Sequence, residues 1–245
     1  MDLEITLGFK PSRDWITQPA KQFGTPQQSA CEFRHTIGCY FFNLYTLMIE
    51  PEKVGVLFGD LCWETPLQTL TEPLTTNEYW MLTFVFSDDS HTCNVYNGTA
   101  KQQVKALKST LFYSSQIAAT MVWPPKKRSR FVSISFSRDW LYKKLDLTKT
   151  SASHTLINLL ESETGIFFRG LPLFERMNAF DFLFKENNSL TWTLTVEAQC
   201  YELIHDFMNQ LMAFKSEDAH RNIQDIDKKN VMDVENRYFL ATQPT

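Results

Sequence analysis

The histidines are the residues whose side chains would most readily hold a catalytic metal ion. There are five of them, at positions 35, 91, 154, 205 and 220. A metal centre inside a small β-barrel needs two histidines one residue apart, together with a carboxylate and a more distant histidine. None of the five pairs at that spacing, and the run Asp88-Asp89 before His91 indicates a solvated turn. The sequence therefore predicts no metal site and no cofactor.

Nucleophilic catalysis has no better support in the sequence. There is no G-x-S-x-G motif, and eight glycines leave no glycine-rich loop that could hold a phosphate. Asp60 and Cys62 are two residues apart, but neighbours on one face of a strand are common. Glu161 and Glu163 fall at the end of a predicted helix and are interpreted as surface residues. We therefore expect that this chain is not an enzyme.

Charge and cysteine content restrict the partners and the compartment. The net charge is −4, which does not favour binding of nucleic acid by the chain as a whole. The basic cluster Lys126, Lys127, Arg128 and Arg130 follows two prolines and is predicted to lie on a hairpin turn. The five cysteines form no C-x-x-C motif, and the chain begins with an acidic segment and has no apolar run of spanning length. We expect a cytoplasmic protein with reduced thiols and no contact with a membrane.

Residues 1–145 have the pattern of an antiparallel β-barrel. Gly38–Ile49 and Tyr79–Phe86 are rich in apolar side chains on both faces, which is typical of strands with cover on both sides. Asn97-Gly98 is a two-residue hairpin signal. Phe131–Phe136 alternates apolar residues with serine and is interpreted as a half-buried strand. Large aromatic side chains on these strands are candidates for lining a small-molecule cavity: Tyr40, Phe42, Trp80, Phe84, Phe112 and Trp123.

Residues 146–245 change to helical periodicity, after a first short helix that Ser137 would cap. Further helices are predicted over Ser153–Leu160, Leu173–Asn187, Thr193–Phe214 and Asp227–Leu240. The predicted class is α+β, with a barrel domain at 1–145 and a helical dimerisation and linker region at 146–245.

The helix over Thr193–Phe214 carries apolar residues at the alternating spacing of a coiled-coil seam. One interpretation is that this helix packs on its own domain. The other is that it pairs with the same helix of a second copy, so that the chain forms a homodimer. The side chains predicted for that shared surface are Leu203, Phe207, Leu211 and Phe214.

Three segments in this order resemble the amino-terminal region of AraC-type transcription regulators, particularly their cupin-like variety in Bacteroidetes. Residues 79–87 (YWMLTFVFS) resemble a barrel strand, 130–141 (RFVSISFSRDWL) the last strand and first helix, and 199–207 (QCYELIHDF) the dimerisation helix. Asp225–Tyr238 resembles the helix that leads towards the DNA-binding domain.

The resemblance implies a sensor and dimerisation region that binds a small-molecule effector inside a cupin-like barrel. DNA binding in such regulators belongs to two helix-turn-helix units of about 100 residues that follow this region, and we expect this chain to lack them. Two alternatives remain. One is a cupin-fold enzyme, an isomerase or a dioxygenase, and the other is a dimerisation module with a filled barrel and no effector.

Overall fold

The computed structural model describes residues 3–97, 100–146, 157–158, 160–161, 166–169 and 191–213. Residues 157, 158, 160 and 161 are helical. The other strands and helices of these ranges, numbered in chain order, are β1 Leu3–Leu7, α1 Asp14–Phe23, β2 Glu32–Ile37, β3 Tyr40–Glu50, β4 Val54–Cys62, β5 Leu67–Thr71, β6 Tyr79–Asn97, β7 Ala100–Ser114, β8 Ala118–Trp123, β9 Ser129–Ser137, α2 Arg138–Leu145, β10 Ile166–Arg169 and α3 Trp192–Ala213.

The long strand β6 joins the two halves of one curled sheet. The strand order is β1-β5-β8-β6-β9-β4-β3-β2, while β7 pairs with β6 and β10 pairs with β7. Residues 79–87 of β6 pair with β9, and residues 92–96 pair with β8. The register of the β6–β7 ladder shifts between Phe86 and His91. This irregularity lies where β6 passes from one half of the sheet to the other, as expected for a bulge that bends a strand.

Both faces of the sheet are buried, and each borders its own core. Along β6, Met81 and Val85 belong to an inner core that receives side chains from β1 to β9 and from α1. The residues between them, Leu82 and Phe84, belong to an outer core that also contains α2 and α3. Because successive side chains of a strand point to opposite faces, two-sided apolar strands build two cores at once.

Helix α1 covers part of the inner core. Its residues Trp15 and Ile16 are fully buried there. The helix ends at Gly24, whose φ of +63° is a left-handed conformation that glycine adopts without steric cost. The segment before the helix is held by a hydrogen bond that the Ser135 hydroxyl donates to the carbonyl of Phe9.

Helix α3 buries its apolar stripe against the outer face of the sheet of its own chain. Leu203, Phe207 and Leu211 are all buried, and the ring of Phe207 lies 5.0 Å from that of Phe112 on β7. These three side chains were predicted to face a second copy. The structure instead places them in the outer core, because the two-sided strands need a cover on that face. Phe214 lies outside the described residues.

The predicted α+β class is confirmed by this arrangement. The helix predicted over Thr193–Phe214 is α3, and the Ser137 hydroxyl caps α2 by accepting a hydrogen bond from the backbone N–H of Trp140 at 3.2 Å. The antiparallel pairing of Asn97 with Ala100 confirms that β6 and β7 form a hairpin, whose two turn residues lie outside the described residues. The helices predicted over residues 173–187 and 227–240 lie outside the described residues, and the boundary at 145/146 stays a prediction. Within the described ranges, no helix has both the length and the apolarity needed to cross a membrane.

Candidate functional site in the inner core

The inner core encloses a small cavity between the two halves of the sheet. Its volume is about 20 Å³, which is room for about one water molecule. The side chains around it come from β1, α1, the loop between them, β4, β5, β6, β7, β8 and β9. The lining residues are Leu7, Gly8, Trp15, Leu57, Thr69, Thr71, Met81, Thr83, Tyr113, Met121, Trp123, Phe131 and Ser133.

Hydroxyl groups form the polar part of the lining, and they bond to one another or to neighbouring rings. The hydroxyls of Thr83 and Ser133 are 2.9 Å apart. The phenol of Tyr113 donates to the Thr71 hydroxyl at 3.4 Å. The first pair joins direct partners on the adjacent strands β6 and β9, and the second joins β7 to β5, which are not neighbours in the sheet. In this way buried polar groups are satisfied without a bound partner.

Among the described residues, those that line the cavity contribute no carboxylate, amine, imidazole or thiol. Its titratable group is the phenol of Tyr113, and burial raises the pKa of that phenol above its ordinary value of 10. Tyr113 is therefore neutral at physiological pH. A lining of this kind can hold a neutral polar molecule by hydrogen bonds, but it offers no general base for proton transfer.

A buried histidine lies beside the inner core. His91 is on β6, 1% exposed, with its ring stacked on that of Trp123 at 6.1 Å. Burial lowers its pKa to about 4, so the imidazole is neutral at physiological pH. The run Asp88-Asp89 before His91 was interpreted as a solvated turn; both residues are exposed, but the turn was wrong, because β6 continues through them as one bent strand.

The six aromatic residues predicted to line a cavity do not share one site. Trp80, Phe84 and Phe112 lie in the outer core under α3, with the rings of Trp80 and Phe112 stacked at 4.5 Å. Phe42 lies in the inner core away from the cavity, and Tyr40 is half-buried at the start of β3. Of the six, Trp123 lines the cavity.

Sequence reasoning missed the hydroxyl residues that give the cavity its chemistry. Phe131–Phe136 was interpreted as a half-buried strand, but both Ser133 and Ser135 are buried as well as its apolar residues. The available signal was small hydroxyl residues alternating with large apolar ones, as in β5 (LQTLT) and β9 (SRFVSISFS). That pattern does not say which face is covered.

Groups that could coordinate a metal ion are scattered in the described ranges. Within these ranges, no three histidine, cysteine, aspartate or glutamate side chains come together in a way that could hold one. Asp60, which the sequence brings near Cys62, accepts two hydrogen bonds from the Arg128 guanidinium, at 2.8 and 2.7 Å. This ion pair joins β4 to the turn before β9.

The strands that line the cavity also support α3. On β6, Met81 and Thr83 face the cavity while Leu82 and Phe84 face the outer core. On β9, Ser133 faces the cavity while Val132 and Ile134 face the outer core. One peptide unit therefore separates a cavity residue from a residue that supports the helix.

No protein-family model matches the sequence, and no curated protein is detectably similar to it. Solved structures match with probability 1.00, but they superpose poorly on the chain as a whole. Vicilin from Corylus avellana has a TM-score of 0.29 and 6% identity, over 45% of this chain and 33% of that one. The cupin domain of Cnp3 from Schizosaccharomyces pombe has a TM-score of 0.29 and 8% identity, over 43% and 71% of the two chains. An HTH_3 family transcriptional regulator from Vibrio cholerae has a TM-score of 0.26 and 10% identity, over 39% and 50%. The chain thus spans about a third of the hazelnut vicilin that it matches.

Proposed function

We propose that this chain is the sensing and dimerisation region of an AraC-type transcription regulator, and that it acts by binding and assembly rather than by catalysis. The observation that supports this proposal is the alternation along β6 and β9, where residues of the cavity and residues under α3 are direct neighbours. The neutral, hydroxyl-lined cavity supports the same proposal, since acid–base or metal chemistry would need other side chains there.

The alternation gives a physical route from the interior to the helix. An occupant in contact with Thr83 or Ser133 displaces the strand segment that carries it. The adjacent Leu82 and Ile134 belong to the outer core that also contains α3. Their displacement then repacks that core around the helix, because a packed core responds by repacking rather than by continuous deformation. A shift of α3 changes the orientation of any segment that follows this helix in a longer protein.

The size of the cavity limits the occupant. At about 20 Å³ the cavity holds roughly one water molecule, whereas pockets for organic ligands are larger by an order of magnitude. An organic effector must therefore displace lining side chains, and hydroxyl partners favour a neutral polar one. The filled interior also favours a second candidate, a dimerisation module that takes no effector.

The test is a fusion of residues 1–245 to a DNA-binding domain that occupies its operator only as a pair. We expect the fusion to repress an operator-controlled reporter far better than the isolated DNA-binding domain, and the purified chain to be a dimer by light scattering at micromolar concentration. A fusion no better than the isolated domain, together with a monomer at tens of micromolar, would refute the proposal.

A matched variant separates the effector from assembly. Thr83→Val with Ser133→Ala removes the bonded hydroxyl pair of β6 and β9 from the cavity with little change of volume. An effector found by thermal-shift screening should lose its stabilising effect on this variant, while reporter repression without the compound stays unchanged. A transition metal bound at one per purified chain would instead favour a cupin-fold enzyme.

A further inference from the structure

Cys39 and Cys62 lie at the same end of the sheet. Cys39 is exposed in the two-residue turn between β2 and β3, where Ile37 pairs with Tyr40. The other residue of that turn is Gly38, with φ of +61°. Cys62 is half-buried at the end of β4 and pairs with Phe41.

The β3–β4 register makes the two cysteines diagonal neighbours. Phe41 lies opposite Cys62, and Cys39 precedes Phe41 by two residues, in the turn that leads into β3. Diagonal neighbours within a sheet are separated by about 7–8 Å, slightly more than the Cα separation of about 4.4–6.8 Å in a disulfide. A small movement of an exposed glycine-containing turn closes that difference. Burial raises the pKa of Cys62, and the charge of the Cys39 thiolate raises it further, as expected for thiols close together.

We propose that Cys39 and Cys62 are a site of reversible oxidation and form an intramolecular disulfide when the chain meets a low-molecular-weight disulfide such as oxidised glutathione. The exposed Cys39 thiolate attacks one sulfur of glutathione disulfide, forms a mixed disulfide and releases one glutathione thiolate. The Cys62 thiolate then attacks the Cys39 sulfur and releases the second. The protein loses two electrons and two thiol protons, and one glutathione disulfide becomes two glutathione molecules.

The bond would join the β2–β3 turn to the end of β4 beside a cluster of aromatic rings. Trp63 follows Cys62 directly, and its ring lies 5.5 Å from Phe23 at the end of α1 and 5.6 Å from His35 on β2. A disulfide at this position restrains β2, β3 and β4 relative to one another at the edge of the inner core. Its effect on slow opening of the β2–β3 hairpin is measurable by amide hydrogen exchange.

The experiment incubates the full chain with oxidised glutathione, alkylates free thiols in denaturant, and maps the peptides without reduction. We expect the number of alkylated thiols to fall from five to three per chain, with a Cys39–Cys62 cross-linked peptide that dithiothreitol removes. Exchange of the amides over residues 32–50 should slow in the oxidised protein and recover on reduction.

Three single substitutions serve as controls. Cys39→Ser and Cys62→Ser should each abolish the cross-link, and Cys62→Ser should leave Cys39 as a stable glutathione adduct. Cys31→Ser replaces an exposed cysteine outside this pair and should oxidise like the wild type. Five free thiols after treatment, a glutathione adduct on Cys39 of the wild type without a cross-link, or a bond from Cys39 to any other cysteine would each overturn the proposal.

Discussion

Gly59 on β4 shows how closely the inner core is packed at the scale of one residue. A Cβ atom at this position would lie 2.0 Å from a ring carbon of Phe131, its cross-strand partner on β9. The Phe131 ring is buried and stacks on Trp123 at 5.4 Å, and the cavity that it borders measures about 20 Å³, so it has little free space to move into. We expect Gly59→Ala to lower the free energy of unfolding by about 3 kcal/mol, at the upper end of overpacking costs.

Urea denaturation of wild type and variant measures this difference. Gly8→Ala is the matched control, because a Cβ atom at Gly8 meets nothing within 4 Å although the residue borders the same cavity. Equal midpoints for Gly59→Ala and Gly8→Ala would mean that Phe131 adjusts without cost.

His91 makes stability depend on pH in the mildly acid range. Burial in the folded protein holds the pKa of His91 at about 4, below its ordinary value of 6.5. Between these two values the unfolded chain binds a proton that the folded chain does not, so the free energy of unfolding falls as the pH falls from 6.5 to 4. The loss from this group is up to about 3 kcal/mol, at about 1.4 kcal/mol per pKa unit.

Denaturation midpoints at a series of pH values, for wild type and His91→Phe, isolate this contribution. The phenyl ring keeps the stack on Trp123 and removes the titrating group. The variant should therefore lose less stability than the wild type between pH 6.5 and 4. Parallel curves for the two proteins would contradict the assignment.

At the scale of strands and helices, short sequence motifs predicted much of the secondary structure. They did not predict on which face of the sheet each side chain lies. Asn97-Gly98 and Ser137 predicted a turn and a cap because backbone conformation at those points depends on nearby residues. The segment Tyr79–Phe86 is apolar at nearly every position, so its sequence does not show which residues face inward. For this reason Trp80 and Phe84 were predicted to line a cavity and instead lie under α3.

For helix α3, too, the sequence left open which surface its apolar stripe contacts. In the structure this stripe lies against the sheet of its own chain. Phe207 is fully buried beside Phe112, and removal of a buried phenylalanine costs about 3–5 kcal/mol before any charge is buried. Because small domains have about 5–15 kcal/mol of stability in total, we expect Phe207→Glu to release α3 from the sheet and to unfold most of the protein. Circular dichroism melting should show a loss of the cooperative transition.

His205→Glu is the control on the same helix, since His205 is exposed and its substitution leaves the outer core intact. This control should melt like the wild type. A folded Phe207→Glu variant that merely changes from dimer to monomer would instead restore the interpretation of this stripe as a surface shared between copies.

At the scale of the whole molecule, the α+β class could be predicted because the change from strand to helical periodicity is a property of long segments. The cavity could not be predicted, since it arises where side chains from nine separate elements and loops meet. Its neutral character depends on the register that brings Thr83 next to Ser133 and turns the hydroxyl of Tyr113 towards Thr71. Such contacts between distant parts of the chain leave no local pattern.

The charge distribution of the whole molecule leads to a last prediction, that residues 1–245 do not bind duplex DNA selectively. The net charge is −4, and three of the four basic residues, Lys126, Lys127 and Arg128, lie on the turn between β8 and β9, where Arg128 is already paired with Asp60. Arg130 lies at the start of β9, in the ladders with β4 and β6. Lys126 and Lys127 are exposed on the turn, but two lysines release few counterions from DNA and give weak binding that salt abolishes.

Fluorescence anisotropy with labelled duplexes should show no sequence preference at physiological salt, and Lys126→Ala with Lys127→Ala should remove the residual binding at low salt. Sub-micromolar binding that distinguishes one duplex from another would show that this region reads DNA itself, which would contradict the proposal that it acts by effector binding and assembly alone.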